Sequence, residues 1–156
     1  MTSEILSTWL LVASGVQLGT LWIMKTSILP LLNALSYPRY VNVCQLIDMH
    51  VFHPIALWNG IIAAALGFGL AFVAPTGTAS AVFVLGSLSM LVVGITSEGF
   101  NRPIWRQIEM WSPRRDSDPE WDEKRRRWHI AHQVRTAAAA GALVSYAVAA
   151  VLVAAA

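Results

Sequence analysis

The sequence is poor in charge and in cysteine, and both shortages exclude broad classes of protein. Charged residues make up 13% of the 156 residues, whereas a soluble domain usually carries about 25%. The single cysteine, Cys44, excludes a disulfide framework and a cysteine-rich metal site. The apolar share of 56% excludes an intrinsically disordered chain. Composition therefore predicts a small membrane protein that forms one domain over residues 1–156.

Long uncharged stretches divide the chain into candidate membrane spans. Apart from Glu4, no charged residue precedes Lys25, and residues 49–97 and all those after Arg135 are uncharged when histidine is neutral. A span needs about 20 mostly apolar residues, and the Ala-Pro-Thr-Gly turn signal at 74–77 splits the middle stretch in two. The segments lack the alternation of barrel strands. We therefore predict an all-α, four-transmembrane-helix bundle with spans near 5–30, 53–74, 79–101 and 126–156.

The basic residues lie at one end of this predicted bundle. All eleven Lys and Arg fall in the segments 31–52 and 102–125 or at the helix ends that face the same side. Basic loops stay cytoplasmic, so we expect cytoplasmic polar loops and both termini outside, in a bacterial inner membrane or an equivalent membrane. Acidic residues interleave with the basic ones, which argues against a nucleic-acid partner. A short amphipathic interfacial helix is expected in the 102–125 loop, with Ile104, Ile108 and Trp111 on its apolar face.

Polar side chains inside the spans have simpler predicted roles. Gln17 and Asn59 are explained by a hydrogen bond between helices, and Lys25 is expected to extend toward water. Small residues mark faces where helices pack closely in lipid. They are concentrated in the second span, at Gly60, Ala63, Ala64, Gly67 and Gly69, and in the last span at 137–141, Ala147, Ala149 and Ala150.

The four histidines form two His-x-x-His pairs, each near the polar end of a predicted span. Residues three apart share one face of an α-helix. Three spans, counted at 1.5 Å per residue, end at a common depth. The sequence therefore predicts one polar layer made of His50, His53, Glu98, Asn101, His129 and His132, with Asp48 and Arg135 as neighbours.

This layer has three interpretations. Several imidazoles beside a carboxylate suit a first-row transition metal. The predicted metal is iron or copper in preference to zinc, and its ligands are His50, His53, Glu98, His129 and His132. A metal-free site for organic chemistry is the second interpretation. The third is a hydrogen-bonded cluster that only caps helix ends.

Several short motifs resemble one family across nearly the whole chain. They are Leu29-Pro30-Leu31-Leu32, residues 40–45, Asn101-Arg102-Pro103-Ile104 with Trp111, and Trp128-x-x-x-His132-x-x-Arg135-Thr136. Their order and spacing resemble the anthrone-oxygenase-like family of small four-span membrane proteins, some of which are linked to oxidation of anthrones to anthraquinones. The resemblance implies that Asn101, His132 and Arg135 are the functional, catalytic residues. The sequence departs from the family pattern at Trp105, where an asparagine is common.

Two functions from different classes follow as hypotheses. In the first, the chain is a membrane oxidoreductase or oxygenase that takes a lipophilic, phenolic or aromatic substrate from the bilayer. Arg135 would stabilise a developing oxyanion there, and Asn101 would orient the substrate. In the second, the chain is a non-enzymic membrane subunit or anchor whose basic and aromatic face docks a soluble partner or anionic lipid. Homo-oligomers are compatible with either.

Overall fold

Helices make up most of the computed structural model, which describes residues 2–50, 54–115 and 117–156. Side chains are described for residues 3–47, 57–115 and 117–156. The helices are α1 (Thr2–Ile23), α2 (Leu29–Asn33), α3 (Tyr37–His50), α4 (Pro54–Phe72), α5 (Gly77–Thr96), α6 (Arg102–Met110) and α7 (Trp121–Ala154). Two π-helical turns, Met24–Ile28 and Ser97–Asn101, connect α1 to α2 and α5 to α6. The all-helical prediction is confirmed for the described residues.

Each π-helical turn ends two residues before a proline. The first ends at Ile28, before Pro30, and the second ends at Asn101, before Pro103. A proline ring collides with the carbonyl four residues earlier and offers no N–H to it. In both places that carbonyl lies inside the π turn, where the wider winding relieves the collision. Such turns often lie at functional sites, and both of these contact α7.

Three helical stretches are long and apolar enough to cross a membrane. They are Ser3–Asn33, Gly77–Met110 and Trp121–Ala154. The fourth apolar helix, α4, packs against α1 and α5, and α7 packs against the same two helices. Within the described residues, the structure therefore shows a membrane-type helical protein with three helices of spanning length.

The apolar half of the molecule packs around Tyr146 of α7. Its ring is fully buried, and its hydroxyl donates to the Ala63 carbonyl and lies 3.2 Å from the Ser87 hydroxyl. Glycines make room for this ring, because a Cβ at Gly86 would lie only 2.6 Å from it. Gly67, one of the small residues named from the sequence, lies at the same contact, because a Cβ there would lie 2.7 Å from the Tyr146 hydroxyl. Gly86, in α5, was not predicted.

The predicted hydrogen bond between helices at Gln17 and Asn59 is confirmed. The Asn59 amide donates to the Ala13 carbonyl at 2.9 Å and to the Gln17 side chain at 3.3 Å, which joins α4 to α1. Lys25 is exposed, and its ammonium lies 5.7 Å from the centre of the Trp22 ring.

The polar end contains a helix that the sequence did not predict. Residues 31–52 were expected to be a polar loop, but α3 occupies most of this segment and packs against α6. Gln45 fixes the contact by donating to the carbonyls of Glu109 and Trp111, both at 3.0 Å. The helix predicted within 102–125 is α6, with Ile104 and Ile108 buried. Its apolar face therefore packs against protein.

Burial suppresses ionisation in the core between α3 and α6. Cys44 is 1% exposed and Tyr40 is fully buried. Burial raises the pKa of the Cys44 thiol to about 12, and it also raises the pKa of the Tyr40 hydroxyl. Both groups are neutral at physiological pH. We conclude that this core is held together by apolar and aromatic packing.

Candidate functional site

Four polar side chains meet where the π turn after α5 contacts α7. Ser97 and Asn101 come from that turn, and His132 and Arg135 come from α7. The two α7 residues are three positions apart and therefore share a helix face. His132 is fully buried and Asn101 is 5% exposed. We call Ser97, Asn101, His132 and Arg135 the Arg135 cluster.

Both ring nitrogens of His132 are hydrogen-bonded. Nε2 lies 3.0 Å from the carbonyl oxygen of Leu21, near the end of α1. Nδ1 lies 2.8 Å from Nη2 of Arg135. A carbonyl can only accept and a guanidinium can only donate. The hydrogen bonds therefore assign His132 as the neutral tautomer with its proton on Nε2 and a lone pair on Nδ1.

The hydrogen-bond partners of Arg135 among the described residues are all neutral. Its Nη1 donates to the Ser97 hydroxyl at 3.1 Å, and its Nη2 donates to His132. The Asn101 amide is oriented with its oxygen toward the guanidinium, because that group offers only donors. The oxygen then lies 2.8, 3.0 and 3.2 Å from the three guanidinium nitrogens. Because the three distances are nearly equal, the Asn101 amide oxygen lies over the flat face of the guanidinium group.

Among the described residues, the Arg135 cluster carries a positive charge that no carboxylate compensates. In the described part of the chain, the ion pairs of the arginines involve residues 102, 125 and 127, and no carboxylate pairs with Arg135. Arg135 is only partly accessible to solvent. Sequestering a charge without a counter-charge is unfavourable, and ionisable groups within membrane helices are functional candidates by default. Chemically, the cluster is suited to hold an anionic oxygen.

The predicted polar layer is only partly brought together. Asn101 and His132 meet, with Arg135 between them as expected. Glu98 instead lies on the exposed surface, where it pairs with Arg102. The π turn accounts for the difference, since its wider winding moves Glu98 and Asn101 to different faces. Ser97, four residues before Asn101, takes the inward position.

The described residues do not fit a metal site. Among them, no three His, Cys, Asp or Glu side chains lie close enough to hold one ion. His132 has no free nitrogen, and Glu98 faces away. His129 lies one turn earlier, and its buried Nε2 has no partner in the described structure. His53 and the side chains of Asp48 and His50 lie outside the described residues. The metal set that includes them stays a prediction.

Sequence reasoning missed two partners in the Arg135 cluster, Ser97 and the Leu21 carbonyl. The signal for Ser97 was its position four residues before Asn101, combined with Pro103, which predicts a disturbed helix there. The contribution of Leu21 carries no sequence signal, because it is made by the backbone.

Comparisons with known proteins add no identification. No protein-family model matches the chain, and neither the curated proteins nor the solved structures contain a match. The resemblance to the anthrone-oxygenase-like family therefore stays a prediction based on the motifs. The functional argument depends on the geometry of the Arg135 cluster.

Proposed function

We propose that the chain is a four-span membrane oxidoreductase of the oxygenase type. Its substrate is a lipophilic molecule with a phenol or enol group, and Arg135 binds the oxygen of that group. The observation that supports the proposal is the partly buried Arg135 guanidinium, whose partners in the described structure are all neutral. An anionic oxygen from the bilayer side would supply the missing counter-charge.

The four-span arrangement is supported by the length and packing of α4. This helix has 19 residues, which corresponds to about 28 Å, close to the hydrocarbon thickness of a bilayer. It packs against α1 and α5, two of the spanning-length stretches. With four spans, both termini lie outside, and the basic end lies in the cytoplasm.

The chemistry assigned to the cluster begins with a proton transfer. Arg135 Nη2 turns from His132 Nδ1 to the substrate oxygen, which frees the Nδ1 lone pair. Nδ1 then takes a proton from an activated C–H or O–H of the substrate. Arg135 stabilises the resulting phenolate or enolate, and Asn101 keeps the guanidinium in position.

Dioxygen is the co-reactant in this proposal. For a substrate with an activated CH2 group, the carbanion formed by deprotonation transfers electrons to dioxygen. One oxygen atom becomes the carbonyl of the product, and the other leaves as water with the two hydrogens. The reaction consumes one dioxygen for each CH2 converted to C=O, so oxygen uptake measures turnover directly.

Binding can be tested with an alkylated nitrophenol, whose phenolate form absorbs visible light. Full-length protein in detergent micelles is titrated into this probe at a pH where half of the free probe is ionised. We expect the wild-type protein to raise the phenolate fraction, and Arg135→Met to bind the phenolate at least tenfold more weakly. Oxygen uptake with a hydroxylated polycyclic substrate is recorded on the same samples.

Arg102→Met is the matched control, because it removes the same charge from an exposed arginine that pairs with Glu98. It should leave probe binding within twofold of the wild type. Equal loss in both variants, or no shift of the probe by the wild-type protein, would refute the anion site. A protein that neither binds the probe nor consumes oxygen would be better described as the non-enzymic membrane subunit.

A further inference from the structure

A second polar feature lies nearer the start of α7. A cavity of about 500 Å³ is lined there by one face of α7 and by Asn33 at the end of α2. The α7 residues in its wall are Asp122, Arg125, Arg126, His129, Ile130 and Gln133. None of them belongs to the Arg135 cluster.

The charges in this cavity favour an anion. Residues 124–127 are four consecutive basic side chains. Three of them pair with an acidic residue three or four positions earlier, namely Lys124 with Glu120, Arg125 with Asp122 and Arg127 with Glu123. Within the described part of the chain, Arg126 has no such partner. The cavity therefore carries one positive charge in excess.

His129 adds a hydrogen-bonding group that lacks a partner. Its Nε2 atom is buried, and no donor or acceptor among the described residues contacts it. Leaving a buried polar atom unsatisfied costs about 1–3 kcal/mol. The His129 ring lines the cavity, so a rotation of the ring would bring Nε2 to an oxygen atom of a bound ligand.

The face of α7 that lines the cavity continues as an exposed apolar surface. Ile130 is 52% exposed, Val134 44%, Val144 63% and Val151 68%, and the spacing of these residues keeps them on one side of the helix. Ala137 and Gly141, also exposed, lie on the same side. Acyl chains can pack on such an apolar surface, whereas a free phosphate ion would make no favourable contact with it.

A tryptophan lies beside the cavity. The Arg125 guanidinium lies 4.6 Å from the centre of the Trp121 ring. Tryptophan is enriched at the level of lipid headgroups, and basic pockets between membrane helices bind anionic headgroups. We infer that the cavity binds the phosphate of an anionic phospholipid, whose acyl chains lie along the exposed face of α7. Arg126 and His129 contact the phosphate.

Native mass spectrometry of the full-length protein in detergent tests this inference. The protein is titrated separately with dioleoylphosphatidylglycerol, dioleoylphosphatidylcholine and inorganic phosphate. We expect one phosphatidylglycerol to bind at least tenfold more tightly than phosphatidylcholine. Arg126→Gln should weaken that binding at least fivefold, and His129→Ala at least twofold.

The control is Arg127→Gln, which removes the same charge from the next residue, an arginine outside the cavity wall. It should change lipid affinity less than twofold, and Arg126→Lys should restore most of the binding lost in Arg126→Gln. Equal effects at 126 and 127, or equal affinity for the two lipids, would overturn the inference. Displacement of the lipid by inorganic phosphate at comparable concentration would also overturn it, because the site would then serve free phosphate. Each variant is compared with the wild type only if the two have the same thermal unfolding. The His129 variant tests the site independently of the arginine variants.

Discussion

The apolar half of this protein buries the Tyr146 hydroxyl of α7, and the polar end partly buries the Arg135 guanidinium of the same helix. The two groups differ in their partners. The Tyr146 hydroxyl is satisfied by Ala63 and Ser87, and glycine leaves just enough room for its ring. Arg135, eleven residues earlier, has every contact among the described residues with a neutral group. A buried polar group whose hydrogen-bond partners all lie within the protein contributes to stability. A partly buried charge that has no counter-charge among the described residues indicates a ligand.

The largest expected difference in stability is between alanine variants of the two histidines of α7. His132→Ala removes a fully buried side chain and leaves both the Leu21 carbonyl and an Arg135 N–H without their partner. The cavity and the lost hydrogen bonds together should cost about 3 kcal/mol or more. His129→Ala should cost less than about 1 kcal/mol, because the Nε2 atom of His129 makes no hydrogen bond in the described structure. Thermal unfolding in detergent measures the loss of stability in both variants. Equal losses would contradict the different roles assigned to His132 and His129.

The next effect tests the close packing of the apolar half. Gly86→Ala places a Cβ 2.6 Å from the Tyr146 ring, and overpacking of this kind costs about 1–3 kcal/mol. Gly94→Ala, in the same helix, meets no atom within 4 Å and should stabilise by up to about 1 kcal/mol through helix propensity. The two variants should therefore shift the unfolding temperature in opposite directions. A shift of the same sign in both would show that the Tyr146 contact is looser than described.

A smaller effect concerns hydroxyl groups. Tyr146→Phe removes the hydrogen bonds to Ala63 and Ser87. The free energy of unfolding should fall by about 1 kcal/mol. Tyr37→Phe is the matched control, because the buried Tyr37 hydroxyl has no hydrogen-bond partner among the described residues. That change should be neutral or slightly stabilising. Unfolding of the two variants under identical detergent conditions decides the matter, and a larger loss at Tyr37 would count against the assigned contacts.

The smallest expected signal is the reactivity of Cys44. Because burial raises the pKa of its thiol to about 12, only about one thiol in ten thousand is ionised at pH 8, and the thiolate is the form that reacts. Iodoacetamide should therefore modify folded protein at least 100-fold more slowly than protein unfolded in sodium dodecyl sulfate. Rapid modification of the folded protein, followed by mass spectrometry, would show that the core between α3 and α6 opens readily.

The sequence predicted the helices that depend on composition and the contacts that depend on helical spacing. Charge-free stretches located the apolar helices, because a membrane-length helix tolerates few charges. The pairing of His132 with Arg135 follows from their separation by three residues. Counting residues along the spans also brought Asn101 to the depth of His132, where the structure places it.

Other features depended on interactions that the sequence pattern does not display. The π turn before Pro103 changes the winding, so that Ser97 faces the cluster and Glu98 faces outward. The helix α3 carries polar residues throughout, and its contact with α6 comes from tertiary packing. Its Gln45 bonds to two backbone carbonyls could not be read from residue types.

The central claim is that a neutral His132 accepts a hydrogen bond from Arg135, which leaves the guanidinium charge free for an anionic ligand. Nitrogen-15 NMR of histidine-labelled protein in detergent, with His132 assigned by the His132→Ala spectrum, measures this directly. The account predicts a protonated Nε2 and an unprotonated, hydrogen-bonded Nδ1 in neutral buffer. A proton on Nδ1 would contradict it, because such a nitrogen cannot accept from Arg135.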